Sequence, residues 1–541
     1  MNSLTDIFWH RKWVISLTAG ILLGLAFPPF PFPFLLFPAL VLLFRLIDLS
    51  ETAREAAYHS YPALVIWNLI TTYWLMLATV AAGIAAILAN AAVMTLPVML
   101  QHQAQKKLNN IWVIALLQTA FWVSYEYLHH HWDLAWPWLA LGNAWANVPE
   151  LVQYISATGY LGISFWVVLV SSLAYQAIKE SYKTVIYAAA ALAVLFPAIS
   201  LVQLSMLDLE SRSTVKTVVV QPNFDSYHTY GGYDTAQQAM QSLLALSDSA
   251  RTEETQLIVW PENGIHPALA NRQITDRDAN SIKALLINRS SEWGVPIIGG
   301  ATYFEYYTPE QTPLLPQGSA DSPWLYFNSA LAFYPDGSLQ VYRKHNLVPI
   351  VERMPFVHFL DAIDVLDWVN WKTLQGYGKG NGAEPFPVAH TQTPALVCYD
   401  SVFPGWIRAF INNDAGFITI ITNDGWWGNT SGHSQHFAYA RLRALEFRRW
   451  VVRSANNGIS GIIAADGGVK VETGYWERTA FTYDVPVITE QTLYARLGDW
   501  LPIGLLVLSA GGMVLMLFKR YRYSSQVTVV KKDRRRETAD R

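Results

Sequence analysis

Apolar runs of membrane-crossing length alternate with short polar connections over the first 205 residues, after which the pattern changes. The runs cover roughly 13–28, 33–48, 60–77, 81–100, 110–128, 157–178 and 184–204. Each is near the length an α-helix needs to cross a ~30 Å hydrocarbon core. The second run is short and punctuated by proline (PPFPFPFLLFPALVLLF), and the third and fourth nearly merge. The first does not read as a cleaved signal peptide, because FPPFPFPF stands where a small-residue cleavage site would be and further spans follow. An eighth run, WLPIGLLVLSAGGMVLMLF, occupies 500–518. Between 214 and 487 the apolar runs become short and β-rich: VKTVVVQPN, TQLIVWPE, VPIIGGATYF, NSALAFYPDG, PALVCYD and GFITIITND. Amphipathic helical patterns separate some of them, at 234–250 and 278–294. Apolar strands alternating with such helices predict an α/β core whose sheet is covered by helices.

The expected organisation is therefore a seven-helix membrane domain over 1–205 and an external domain over 214–487. An eighth span over 499–518 and a basic tail over 519–541 complete it. Composition agrees with this division: 52% hydrophobic residues and 15% charged ones are too apolar for a purely soluble chain and too polar for membrane helices throughout. The net charge of −3 points to no class of partner. Lys and Arg lie before span one and after spans two, four, six and eight, whereas the connections 28–33, 77–81 and 129–156 contain none. By the positive-inside bias both termini face the cytoplasm and 205–499 lies outside. The tail reads as an inner-leaflet contact, and nucleic acid is not an expected partner.

Cys398 is the single cysteine of 541 residues, so an internal disulfide and a thiol-built zinc site are both excluded. It is either a small buried hydrophobe or a nucleophile. Three strand ends bear on the choice: LIVWPE ends in Glu262, VYRKHNLVP holds Lys344, and PALVCYD holds Cys398. A carboxylate can take the thiol proton and an ammonium can favour the thiolate. The same ammonium, with a backbone N–H beside the thiol, can hold the oxyanion of an acyl intermediate. Such a trio suits acyl transfer through a thioester.

The ordered motifs VVQPNFD, WPEN, RKHNLVP with Glu352, CYD, TNDGWWG, HFAYARLRALEFRR, RSANNGISG and TLYARLGDW resemble the nitrilase superfamily. With eight spans around them, they resemble its membrane-embedded branch, the apolipoprotein N-acyltransferases. The resemblance implies a four-layer α-β-β-α sandwich outside a multi-span helical bundle in the bacterial inner membrane, with the sandwich periplasmic. It implies Glu262 as general base, Lys344 as oxyanion stabiliser and Cys398 as nucleophile, supported by Glu352 and by Tyr399. Trp426 and Trp138 resemble family aromatics near the lipid entrance, and Tyr230 stands where many members carry Trp. Asp400 replaces a common Glu, and Val351 a common Gly. The implied partners are a phospholipid acyl donor and a diacylated apolipoprotein acceptor within membrane lipid, with a single chain sufficient and no cofactor or metal. The alternative is a membrane-tethered nitrilase-like amidase that hydrolyses C–N bonds.

The Trp-rich loop 129–145 suits a membrane interface, and its three consecutive histidines cannot all point one way. Glu126, near the outer end of span five, is either functional or held by a structural hydrogen bond. The charges in HFAYARLRALEFRR read as a structural ion-pair network.

Overall fold

The computed structural model describes residues 11–208, 213–311, 313, 316–363 and 376–518. The expected basic tail, 519–541, lies outside these. Helices stand wherever the apolar pattern places a span. They are α1 (Lys12–Leu25), α2 (Leu36–Leu49), α3 (Ala53–Thr72), α4 (Val80–Val93), α5 (Thr95–Lys107), α6 (Ile111–His129), α7 (Leu161–Glu180) and α8 (Lys183–Ser205). The expected span 81–100 is thus two consecutive helices, joined at Met94. Polar residues at loop ends fix several starts. Thr52 accepts from the Glu55 amide, and Asn110 accepts from the amides of Trp112 and Val113.

Five described stretches are long and apolar enough to cross a membrane, against eight expected: Val80–Lys107, Ile111–His129, Leu161–Glu180, Lys183–Ser205 and Trp500–Phe518. With 14 residues each, α1 and α2 are about 21 Å long at the rise of an α-helix, and α3 is long enough but more polar. Burial separates the stretches further. The apolar window of α7 is 78% buried and that of α8 only 17%. Large apolar side chains on α8, among them Val194, Leu195 and Val202, are exposed, a surface that water penalises and lipid does not.

The remaining chain forms two facing sheets. In the first, which has eight strands, six run β11-β1-β2-β3-β4-β5: β1 (Thr214–Gln221), β2 (Leu257–Val259), β3 (Ile297–Tyr306), β4 (Ser322–Phe333), β5 (Leu339–Arg343) and β11 (Thr479–Pro486). The second runs β6 (Ala395–Val397), β7 (Ile418–Thr422), β8 (Val451–Ala455), β9 (Gly461–Ile463) and β10 (Val469–Glu472). Alternation along the strands decides what each face meets. Val218, Val220, Ile258 and Leu331 pack against Met240, Leu243, Ile282 and Leu286 of α9 (Ala236–Ala250) and α10 (Arg277–Trp293). Their neighbours Val219, Leu257, Val259 and Ala330 pack with Val397, Ile420 and Val452 of the second sheet, whose outer face carries α11 (Ser431–Phe447). This is the α-β-β-α sandwich.

A third apolar cluster spans both parts of the molecule. It runs from Leu23, Leu43 and Trp67 in the helices through Trp74, Trp138 and Tyr160 to Tyr399, Phe403, Tyr439 and Leu445 in the sandwich. Gln435 of α11 donates to the carbonyls of Pro28 and Thr71 and accepts from the indoles of Trp74 and Trp138. The final helix, α12 (Trp500–Phe518), returns to the bundle, where Ser509 hydrogen-bonds Ser124.

Candidate active site

Each predicted reactive side chain follows a strand. Trp260 and Pro261 carry β2 to Glu262, and the turn rests on Gly300, where a Cβ would lie 2.5 Å from the Glu262 Cα. Lys344 directly follows β5, its amide bonded to the Asn328 carbonyl at 2.8 Å. Cys398 directly follows β6 and opens a helical turn, Cys398–Val402. Its φ is +49°, a left-handed conformation unusual for a side chain of this type. The first amides of a helical turn have no acceptor inside it, which leaves the Tyr399 N–H free of the turn's own bonding.

The charges are buried and mutually bonded. Lys344 Nζ lies 2.8 Å from Glu352 Oε1 and 3.7 Å from Glu262 Oε1. Asn328 Nδ2 donates to both carboxylates, at 2.7 Å to Glu262 and 2.9 Å to Glu352. The remaining oxygens accept backbone amides: Glu262 from Asn423 at 2.8 Å, Glu352 from Val348 at 2.7 Å. Burial raises the Glu262 pKa above the ordinary carboxylate value, against the pull of Lys344. Burial would lower Lys344, but the Glu352 and Glu262 carboxylates outweigh it and hold the ammonium charged. Burial and Glu262 push the Cys398 thiol well up, while Lys344 and the Thr422 hydroxyl oppose them. A protonated thiol beside a carboxylate of raised basicity is the arrangement general-base activation requires.

The other predicted residues divide. Glu352 joins the cluster through Lys344, while Arg353 turns away to the Tyr377 carbonyl. Tyr399 is buried, its ring stacked on Trp136 and its hydroxyl on the Ala135 carbonyl at 2.9 Å. Asp400 does not line a surface cleft. It is fully buried, accepts from the Tyr342 hydroxyl and from the amide and side chain of Asn346, and so ties the Lys344 loop to the Cys398 turn. Burial pushes it up to about 6. Trp138 is likewise buried, against Trp136, Trp74, Trp427 and His436, so it is a wall of the shared core. Trp426 is exposed on a rim and meets Tyr227. Tyr230 lies against His266. His129 bonds Asn90, His130 bonds Tyr160 and His131 bonds the Tyr127 carbonyl, three separate directions. Glu126 accepts from Trp122 and from the Leu141 amide, a structural role. Within α11, Arg443 pairs with Glu446 at 2.8 Å, and Glu446 also accepts the Tyr160 amide.

Sequence reasoning missed Asn328, whose one signal is an amide side chain in the middle of the mostly apolar strand Ser322–Phe333. It also missed a second buried cluster beside the thiol. Cys398 Sγ, a carboxylate oxygen of Asp424 and a ring nitrogen of His436 all lie within 4.8 Å of one another. Asp424 accepts from Thr422 at 2.8 Å and from Arg453 at 2.6 Å, and bonds His436 Nδ1 at 2.9 Å. Burial works against its charge, but Arg453 and His436 hold its pKa below the ordinary value.

Comparison with known proteins adds to this geometry. Residues 19–173 match the family described as the apolipoprotein N-acyltransferase N-terminal domain, and residues 218–493 match the carbon–nitrogen hydrolase family. The apolipoprotein N-acyltransferase of Bradyrhizobium diazoefficiens is 31% identical over 95% of this chain and 95% of its own. That of Chlorobaculum tepidum is 27% identical over 91% of this chain and 94% of its own. That of Rhodopseudomonas palustris is 31% identical over 73% and 72%.

Proposed function

This chain belongs to the apolipoprotein N-acyltransferase family, and we propose that it performs that acyl transfer in two steps through a thioester on Cys398. The observation that carries the reading is the meeting of Glu262, Lys344 and the single cysteine at three buried strand ends beside a helical bundle with lipid-compatible surfaces.

In the first step Glu262 takes the thiol proton and Cys398 Sγ attacks the ester carbon of a phospholipid acyl chain. Lys344 Nζ and the Tyr399 N–H hold the oxyanion. The ester C–O bond breaks, and Glu262 returns the proton to the departing lysophospholipid oxygen. In the second step the amino group of a diacylglyceryl-cysteine, at the N-terminus of an apolipoprotein, attacks the thioester. Glu262 accepts a proton from the nitrogen, the C–S bond breaks, and the protonated Glu262 restores the thiol as the amide forms. Glu352 keeps Lys344 charged and placed through both steps. Holding both lipids against one thiol supplies effective concentration. In the bacterial inner membrane we place eight spans with both termini cytoplasmic and the sandwich periplasmic, following the Lys and Arg distribution.

The test is peptide mass spectrometry of the purified protein after incubation with a defined phospholipid and no acceptor. A hydroxylamine-labile gain of one acyl chain on the Cys398 peptide is expected, absent in Cys398→Ala and discharged by a diacylated lipopeptide. Folded protein whose Cys398 stays unmodified overturns the thioester. Discharge by water in place of the lipopeptide amine favours the amidase.

A further inference from the structure

The second cluster holds one hydrogen bond more than its protons supply in the neutral state. The Asp424 carboxylate can only accept, so the proton shared with His436 sits on Nδ1. Arg453 Nη2, 3.2 Å from that nitrogen, donates to the other Asp424 oxygen. On the far side of the ring, His436 Nε2 lies 2.9 Å from Ser401 Oγ, and Ser401 Oγ lies 2.7 Å from the carbonyl oxygen of Cys398 itself. Ser401 has one hydroxyl proton and two acceptors in range. If Nε2 is unprotonated, one of the two contacts has no hydrogen. If Nε2 carries a proton, it donates to Ser401 Oγ and the hydroxyl donates to the carbonyl, so both bonds are made.

We propose that His436 is a positioning residue for the nucleophile, clamping the Cys398 carbonyl through Ser401 and completing that clamp only when Nε2 is protonated. This rests on Cys398 being the nucleophile. The clamp grips a residue at φ +49°, the one place in the turn where backbone strain must be held by its surroundings. The groups facing the ring are few. Asp424 and the backbone carbonyl of Cys398 favour the proton, and Cys398 Sγ, within 4.8 Å, would add to them as a thiolate. Arg453 on β8 opposes it, His433 stands one turn earlier on α11 stacked on Tyr475, and Trp138 and Trp427 close the remaining sides. Burial and Arg453 together hold the imidazole below its ordinary value, so the state of the nearby sulfur decides the balance. With Cys398 as thiolate, Nε2 binds a proton taken from solvent, separate from the one Glu262 holds, and the turn tightens. Acylation removes the negative charge, Nε2 releases that proton to solvent, and the turn loosens as the thioester awaits its acceptor.

The test is the pH dependence of Cys398 alkylation by iodoacetamide in the full-length protein, without lipid. For the unmodified chain a second inflection is expected below the main thiol titration. His436→Gln keeps a hydrogen-bonding side chain that cannot titrate. It should lose that inflection and react about tenfold more slowly at neutral pH, the scale of a lost charge-assisted bond. Ser401→Ala, which removes only the hydroxyl, should show the same loss, and the double variant should be no slower than either single one. Ser401→Ala decides the matter if His436→Gln does not fold. Profiles that superimpose on the unmodified protein overturn the clamp. Failure of the thioester experiment with these profiles changed as expected would instead overturn only the acyl-transfer chemistry.

Discussion

Glu262 and Asp424 are both buried carboxylates whose charges are felt by the Cys398 thiol, one presented by each sheet, and their pKa values are displaced in opposite directions. Asp424 has Arg453 at 2.6 Å, with His436 and Thr422 completing its bonds, and its pKa falls. Glu262 has its nearest cation, Lys344, at 3.7 Å, and that cation sits closer to Glu352, at 2.8 Å. Its pKa rises. Burial is common to both, so it does not distinguish the proposed base from a structural carboxylate. What distinguishes them is whether the neighbouring cation belongs to one carboxylate or is shared by two.

The comparison can be broken most severely at Glu262 itself. Glu262→Gln should lower acylation of Cys398 by about 10²–10⁴-fold, the usual contribution of a general base, measured as single-turnover thioester formation. Next comes Asp424→Asn, which leaves Arg453 buried without its counter-charge. It should cost about 3–5 kcal/mol of stability, read as a lower Tm in detergent. Asn328→Ala removes a donor from both carboxylates and should cost about 1–3 kcal/mol. Because that bond lowers the Glu262 pKa, its loss should move the acid limb of acylation to higher pH.

The pH dependence of unfolding sharpens the same contrast. The folded pKa of Asp424 is depressed, so its stabilisation is present above the ordinary value of 3.8 and lost as pH falls through the lower folded value. Glu262 has the opposite sign: its raised pKa favours the fold below the ordinary 4.5, and that advantage fades as pH rises through the folded value. Glu262→Gln should therefore flatten the alkaline side of the stability profile, and Asp424→Asn the acid side. Outside both clusters the effect should nearly vanish. Trp426→Ala, at an exposed rim, should change stability by about 0.5 kcal/mol or less.

What was legible in the sequence is what local pattern encodes. Short, continuous apolar β-rich runs located the strands and so identified Glu262, Lys344 and Cys398 as strand-end residues. The supports around the proposed nucleophile were not legible for a physical reason. Asn328 meets Glu262 across 66 positions, and Arg453 meets Asp424 across 29, distances at which spacing carries no signal. Asp424 and His436 stood inside quoted motifs without a role, since nothing in TNDGWWG says which side of the fold faces the thiol. Trp138 and Asp400 were singled out by family resemblance alone, and sequence did not show that Trp138 packs within the shared aromatic core or that Asp400 bonds Tyr342 and Asn346. Hydropathy found the helices, but short α1 and α2 and the more polar α3 show that apolar runs mark helix position better than they mark length.

The bonds that join Gln435 to Trp138 and Trp74 also set an order of events during synthesis. Trp138 must wait 297 residues for its partner, an interval on the order of 15–60 s at ordinary elongation rates. Throughout it, the Trp138 indole of the half-built bundle lacks this acceptor, while Trp74 keeps the Thr71 carbonyl. The helices are therefore made first but finished last, and a ribosome that stalls before residue 435 leaves a protein whose membrane half is also incomplete.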